Sequence, residues 1–390
     1  MKILIFINSL AGGGAERVSA TLANFWALQN WEVTIVTLAP TSEDFYFLDS
    51  KIERISLNLA GESINFLHGL LQNVLRVLAL RRTIKQLRPQ VVLSMMSTPN
   101  VLLAFASQRI DNLCAVGSER CYPPHAPLGL VWSTLCRKMY GRLSAVVALT
   151  HECAQWIEMH SSATCVRVIP NAATWPLPDN VPKIVPDLLC NPERKVLLAV
   201  GRLNTVKNFE VLIGVFSELA GKYPDWDLVI LGEGPERQVL EAIIRDTTLR
   251  TRIFVPGIAG NVGEWYARAD LYVMSSRSEG FPNALSEALA HGLPAVSFDC
   301  DTGPRDIIRH GVDGLLVPSG DSLGLRNALE HVMGDSNLRK KFAARAIDAR
   351  ERFSIERIAG MWETLFRDLT NTRFAPEIKS TTFSNKRCGS

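Results

Sequence analysis

Between Ile3 and Val317 the chain alternates short, β-branched apolar runs with stretches long enough for a helix, in two separate series. This alternation constrains the fold more than any other feature. Strands apolar along their whole length are buried on both faces, and a parallel sheet covered by helices on both sides buries them that way. In the first series the spacing predicts strands over 3–7, 32–38, 91–94, 114–117 and 145–149, with a helix over 15–29 after the first. In the second it predicts strands over 196–200, 228–231, 253–255, 271–274, 295–298 and 314–317, with helices over 208–221, 235–247 and 283–291. Pro176, Pro178, Pro182 and Pro186 fall between the series, a composition that reads as a linker. The expectation is an α/β chain of two doubly wound Rossmann-like domains facing across a cleft. Its parts are a first domain over 1–174, a linker over 175–190 and a second domain over 191–353. A helix over 354–372 then crosses back to the first domain, ahead of a flexible polar tail over 373–390. Open parallel sheets take ligands beyond the carboxyl ends of their strands, so the cleft is the expected site.

Charge and cysteine usage narrow the class. The net charge is +3, yet residues 64–150 hold ten Lys/Arg against only Asp111 and Glu119. Such a window suits nucleic acid, an anionic lipid surface or phosphorylated ligands. Nucleic acid is set aside because no recognition motif accompanies the charge. Leu67, Leu70, Leu71, Val74, Leu75 and Leu78 recur at helical spacing in the same window, followed by Arg76, Arg81, Arg82, Lys85 and Arg88. The leucines alone read as a core-packing stripe. Together with the cations they read as a basic amphipathic helix lying on an anionic membrane face. No apolar run approaches the roughly 20 residues that cross a bilayer. The eight cysteines, Cys388 among them, are scattered with no Cys-x-x-Cys and read as reduced thiols. The expected location is cytoplasmic, peripheral on the inner membrane face.

Several loops could meet phosphate. Gly12-Gly13-Gly14-Ala15-Glu16-Arg17 follows the first strand and opens a helix, so its backbone can approach an anion; a plain tight turn is the alternative. The dinucleotide fingerprint needs glycine where Arg17 stands, which disfavours an NAD-type site, and no Walker loop is present. Arg202 and Lys207 share the loop after the 196–200 strand and suit a diphosphate, or form a solvated surface pair. Gly232-Glu233-Gly234-Pro235 is either the wall of a base pocket or an ordinary turn. Glu279 and Glu287 lie eight residues apart around a predicted helix start, with Gly280, Phe281, Pro282 and Asn283 between them. Carboxylates beside an anion-binding helix end make sense for a nucleotide sugar, whose hydroxyls flank a central diphosphate. Glu287 could equally be a charge placed to satisfy the helix dipole.

The order of these segments, with Ser118-Glu119-Arg120, Ile169-Pro170-Asn171 and Gly303-Pro304-Arg305-Asp306, resembles the family-4 retaining glycosyltransferases of the GT-B fold. The resemblance spans nearly the whole chain and implies roles. Arg202 and Lys207 neutralise the donor diphosphate, and Glu279 touches the donor sugar. Glu287 holds the ribose. Gly280, Phe281, Pro282 and Asn283 surround sugar and phosphate, and Gly13 and Gly14 let the first domain close on them. Glu16, Glu119 and Arg120 face the acceptor. No cofactor or metal is implied, and the donor is a nucleotide diphosphate sugar, expected to be UDP-linked. Ser-Glu-Arg with Gly-Gly-Ala-Glu-Arg is similar to bacterial N-acetylhexosaminyltransferases acting on polyprenyl-diphosphate-linked glycans, which implies a lipid-linked acceptor in surface polysaccharide assembly such as lipopolysaccharide or O-antigen. Many relatives carry a histidine where Ser118-Glu119-Arg120 stands, and here His125 is the nearest one. A nucleotide-sugar epimerase, a phosphorylase or a non-catalytic nucleotide-binding protein of the same fold are the competing readings, the phosphorylase disfavoured because no pyridoxal lysine motif is seen.

Overall fold

The computed structural model describes residues 1–61 and 65–374. The tail expected beyond that point, Cys388 included, lies outside the described residues. Among these residues, thirteen strands form two sheets. In the first, β1 (Lys2–Ile7), β2 (Glu32–Thr37), β3 (Glu53–Ser56), β4 (Val91–Met95), β5 (Cys114–Ser118), β6 (Ala145–Ala148) and β7 (Val166–Val168) run in the order β3-β2-β1-β4-β5-β6-β7. In the second, β8 (Lys195–Val200), β9 (Trp226–Leu231), β10 (Ile253–Gly257), β11 (Leu271–Met274), β12 (Ala295–Asp299) and β13 (Gly314–Pro318) run in the order β10-β9-β8-β11-β12-β13. Every pairing is parallel. Both sheets reverse strand order beside their first strand, so each has its topological switch point at the loop after β1 or β8.

Burial explains the pattern. Residues 3–7 of β1 and all of β4, β5 and β9 are buried, as the apolar runs require. The helix Gly14–Leu28 buries Val18, Leu22, Ala23 and Trp26, one stripe at helical spacing. The helix Ile355–Phe374 follows the second sheet in sequence yet sits on the first domain. Its Ile358, Trp362 and Phe366 join the core around β1 and β4, with Phe366 5.8 Å from Trp26 between ring centroids. Burying each such side chain contributes roughly 1.5–3 kcal/mol, so this helix fastens the chain's end to its beginning. The proline-rich stretch lies along the second domain. Trp265 Nε1 donates to the Ile184 carbonyl at 2.9 Å and Asn261 holds Ile184 through both its backbone groups.

Candidate functional site

Two loops of the second domain meet at the carboxyl ends of β8 and β11. The first carries Gly201 to Lys207, and a neighbouring glycine turn dictates its shape. A side chain at Gly232, where φ is +149°, would collide with the Gly201 carbonyl, and one at Gly234 would collide with that of Leu203. The two segments are stitched by Leu203 N–H to the Glu233 carbonyl and Glu236 N–H to the Leu203 carbonyl, at 2.9 and 3.0 Å. Gly232-Glu233-Gly234 thus supports the loop from behind. Lys207 is tied down at its carbonyl by the Ser275 hydroxyl at 2.9 Å and reaches Glu279 with Nζ, 2.5 Å from Oε1. Arg202 on the same loop is exposed, and its side chain makes no hydrogen bond or ion pair among the described residues. One cation is held on a carboxylate while the other is free.

Glu279 opens the loop to the helix Asn283–Ala290. Thr302 donates to its carbonyl, and Gly303, at φ +98°, packs on Pro282 and Gly280. The Phe281 ring is buried edge-on against Phe353, so this residue offers the cleft its backbone only. Asn283 begins the helix with no side-chain cap on its first turn, leaving backbone N–H groups for an anion. Glu287 follows one turn later, 4% exposed. Burial pushes its carboxyl above the ordinary carboxylate range, opposed by Arg17 and by the nearby Tyr266.

The first domain closes on this helix. A Cβ on Gly14 would stand 3.7 Å from Asn283 Nδ2, and a Cβ on Gly280 only 2.7 Å from the Arg120 carbonyl oxygen. Glycine at 280 lets its loop approach the Arg120 backbone of the first domain, whereas at Gly14 a Cβ would make only an ordinary contact with the Asn283 side chain. Gly13 holds the extended conformation and is fixed by Tyr46, whose hydroxyl donates to its carbonyl at 2.8 Å. Glu16 folds back over Gly13, where any added side chain would strike its carboxylate. Arg17, expected only as the residue that spoils a dinucleotide fingerprint, reaches across and places Nη2 2.5 Å from Glu287 Oε1. No sequence rule pairs residues 270 positions apart, so this contact was invisible before the domains were placed.

Glu119 and Arg120, adjacent in sequence, do not pair with each other. Glu119 accepts from Ser97 at 2.8 Å and Tyr140 at 2.6 Å, and burial raises its pKa. It lines a cavity of about 410 Å³ with Tyr140, Trp156 and His160. Arg120 is buried, its guanidinium pushed down to about 10 by desolvation. It donates to Ser118 and Asn171, and Asn171 in turn donates to Asn283 at 2.8 Å. Both are interior groups, 2% and 8% exposed. His125 pairs with Asp301 of the other domain, Nε2 to Oδ2 2.6 Å, in an exposed position.

The leucine stripe is corrected. Leu67, Leu70, Leu71, Val74, Leu75 and Leu78 of the helix Phe66–Leu87 are exposed, while Leu80 and Ile84 are buried. Leu70, Val74 and Leu78 border a groove between this helix and the helices Ser97–Ala106 and Leu130–Met139. That groove is about 520 Å³ and includes Leu70, Val74, Leu78, Phe105 and Trp132. Arg76 and Arg81 are spent on nearby backbone carbonyls. No described helix is long and apolar enough to cross a membrane.

Comparison with known proteins matches this architecture. Residues 12–173 fit the family model described as Glycosyltransferase Family 4, and residues 180–349 fit that described as Glycosyl transferases group 1. Over 95% of its length the chain is 27% identical to 99% of a Campylobacter jejuni protein, an alpha-1,4-N-acetyl-D-galactosaminyltransferase named for a PP-undecaprenol-linked acceptor. It is 34% identical over 60% of its length to an exopolysaccharide phosphotransferase of Streptomyces coelicolor, of which that match spans only 24%. Its fold is similar to that of Anabaena HepE, solved in complex with UDP, with a TM-score of 0.75 at 19% identity over 94% of this chain and all of the other.

Proposed function

The chain belongs to the glycosyltransferases, its two family domains covering residues 12–173 and 180–349, and we propose that it is a retaining enzyme with a UDP-linked hexose or N-acetylhexosamine as donor and a lipid-linked oligosaccharide of bacterial surface polysaccharide as acceptor. The observation that carries this reading is the meeting of Lys207 with Glu279 beside the unpaired Arg202. A diphosphate entering there takes Arg202 as a fork and draws Lys207 from Glu279. The released Glu279 carboxylate then accepts from hydroxyls of the sugar, and Glu287 from those of the ribose. The backbone N–H groups of Phe281 and Asn283, on either side of Pro282, face the phosphate from the helix start, and Gly13 and Gly14 admit it from the other side.

The chemistry follows from charge. As the glycosidic bond breaks, the leaving nucleoside diphosphate gains negative charge, and cations already aimed at it stabilise that state more than the bound donor. No side-chain nucleophile is needed if the acceptor hydroxyl attacks from the leaving group's own face, its proton passing to the departing phosphate. The reading calls for no metal, because Arg202 and Lys207 supply the positive charge. Glu16, Glu119 and Arg120 belong to the acceptor side, the last two through the walls they build. The exposed leucines with the unpaired cations of the same region would rest on an anionic membrane and bring a polyprenyl-diphosphate glycan to the cleft.

Sugar transfer to a polyprenyl-diphosphate-linked oligosaccharide is the test. Lys207→Ala and Glu279→Ala should each lower turnover at least about 100-fold with melting temperature nearly unchanged. Wild-type turnover in both would overturn the assignment. Sugar interconversion without acceptor would instead indicate an epimerase, and UDP-induced stabilisation without transfer a binding protein.

A further inference from the structure

The Arg17 contact is not used by the donor reading above, and it is unusual in its position. Glu287 is 5% exposed at its side chain and sits on the second domain, while its cationic partner comes from the first. The guanidinium is one-third exposed and closes over the carboxylate from the cleft side. We propose that Arg17 is a positioning residue for donor recognition: by fixing the Glu287 carboxylate across the cleft, it makes ribose binding depend on the two domains being together. The inference rests on the assignment of Glu287 to the ribose.

The geometry supports positioning. Arg17 engages Oε1 of Glu287. A carboxylate offers about four acceptor positions, so one guanidinium contact leaves room for ribose hydroxyls. Around the carboxylate stand Arg17 from the first domain, Tyr266, whose hydroxyl donates to the Ala284 carbonyl at 3.1 Å, and Tyr272 and Tyr46 farther off. On its own helix, His291 is turned to the Glu287 carbonyl, with Nδ1 2.8 Å away. Arg17 is thus the one cation among these that faces the carboxylate. A buried carboxylate stripped of its cation takes up a proton more readily, and a protonated carboxyl loses half of its accepting power toward ribose.

Removing Arg17 therefore has a pH signature. In Arg17→Met the Glu287 carboxyl titrates higher than in the wild type. Affinity for UDP then falls steeply as pH drops from 8 to 6, while the wild type changes little. We expect a dissociation constant about tenfold weaker at pH 6 and closer to the wild type at pH 8, with Arg17→Lys partly restored. The readout is calorimetric titration of the full-length protein with UDP, with GDP and ADP alongside, after thermal melts confirm folding. Glu287→Gln is the reference, and the double variant should be no weaker than Glu287→Gln alone. Unchanged or tighter binding by Arg17→Met, or equal weakening at every pH, overturns the proposal while a weakened Glu287→Gln leaves the ribose assignment standing. Wild-type binding by Glu287→Gln, or no binding of any of the three nucleotides by the wild type, refutes the donor reading and this inference with it.

Discussion

Asp306 offers a perturbation whose size and sign can be worked out beforehand. It belongs to the second domain, on the short helix Pro304–Ile307, and its carboxylate accepts from the His151 backbone N–H at the start of a first-domain helix. Its Oδ2 has no hydrogen-bond partner, and neither has the buried Oε2 of Glu152 nearby. Burial, with Glu152 as a like charge, raises the Asp306 pKa from 3.8 to about 6. The folded state therefore binds this proton more tightly than the unfolded chain does. Its stabilising effect is fully present below about pH 4 and is lost as pH rises through 6. Two units correspond to about 3 kcal/mol, less whatever solvent screening removes at a partly exposed side chain. Asp306→Asn keeps the acceptor for His151 and removes the charge. Urea melts at pH 4 and pH 8 should show the variant close to the wild type at the lower pH and more stable by about 1–3 kcal/mol at the higher. A variant that is equally or less stable at pH 8 would refute the argument that this carboxylate is strained at the domain boundary.

Other consequences concern the frame and the surface. Trp362→Ala removes a 1%-exposed ring that ties the last helix to the first domain. It should cost about 3–5 kcal/mol, read as a lower denaturant midpoint, and a loss under 1 kcal/mol would mean the helix is not anchored there. Leu71→Glu with Leu75→Glu places charges on the exposed stripe of the helix Phe66–Leu87. Sedimentation with anionic vesicles should fall at least tenfold while UDP affinity is unchanged, and undiminished sedimentation would remove this face from the membrane account.

The architecture was legible where burial leaves a one-sided signature. All six strands of the second sheet and five of the first lie where apolar runs stand in the sequence. The two missed, β3 and β7, are the edges of the first sheet. Edge strands are short and half solvated, and Glu53-Arg54-Ile55-Ser56 carries no apolar run to betray it. The positions of the βα loops were legible too, since glycine at a strand's end marks a turn. The structure adds a physical reason for Gly232 and Gly234, which support the Arg202 loop from behind. What could not be read were contacts between the halves: Arg17 with Glu287, Asn171 with Asn283, His125 with Asp301. Those depend on how two separately folded sheets face each other, and no local periodicity encodes that.

The central claim is that the two domains grip a nucleotide diphosphate between Arg202, Lys207 and the start of the helix Asn283–Ala290. A crystal structure with UDP bound tests it most directly. The account predicts the β-phosphate within hydrogen-bonding distance of both cations, Lys207 drawn away from Glu279, and the ribose hydroxyls on Glu287. A nucleotide seated elsewhere, with the Lys207–Glu279 contact intact, would contradict it.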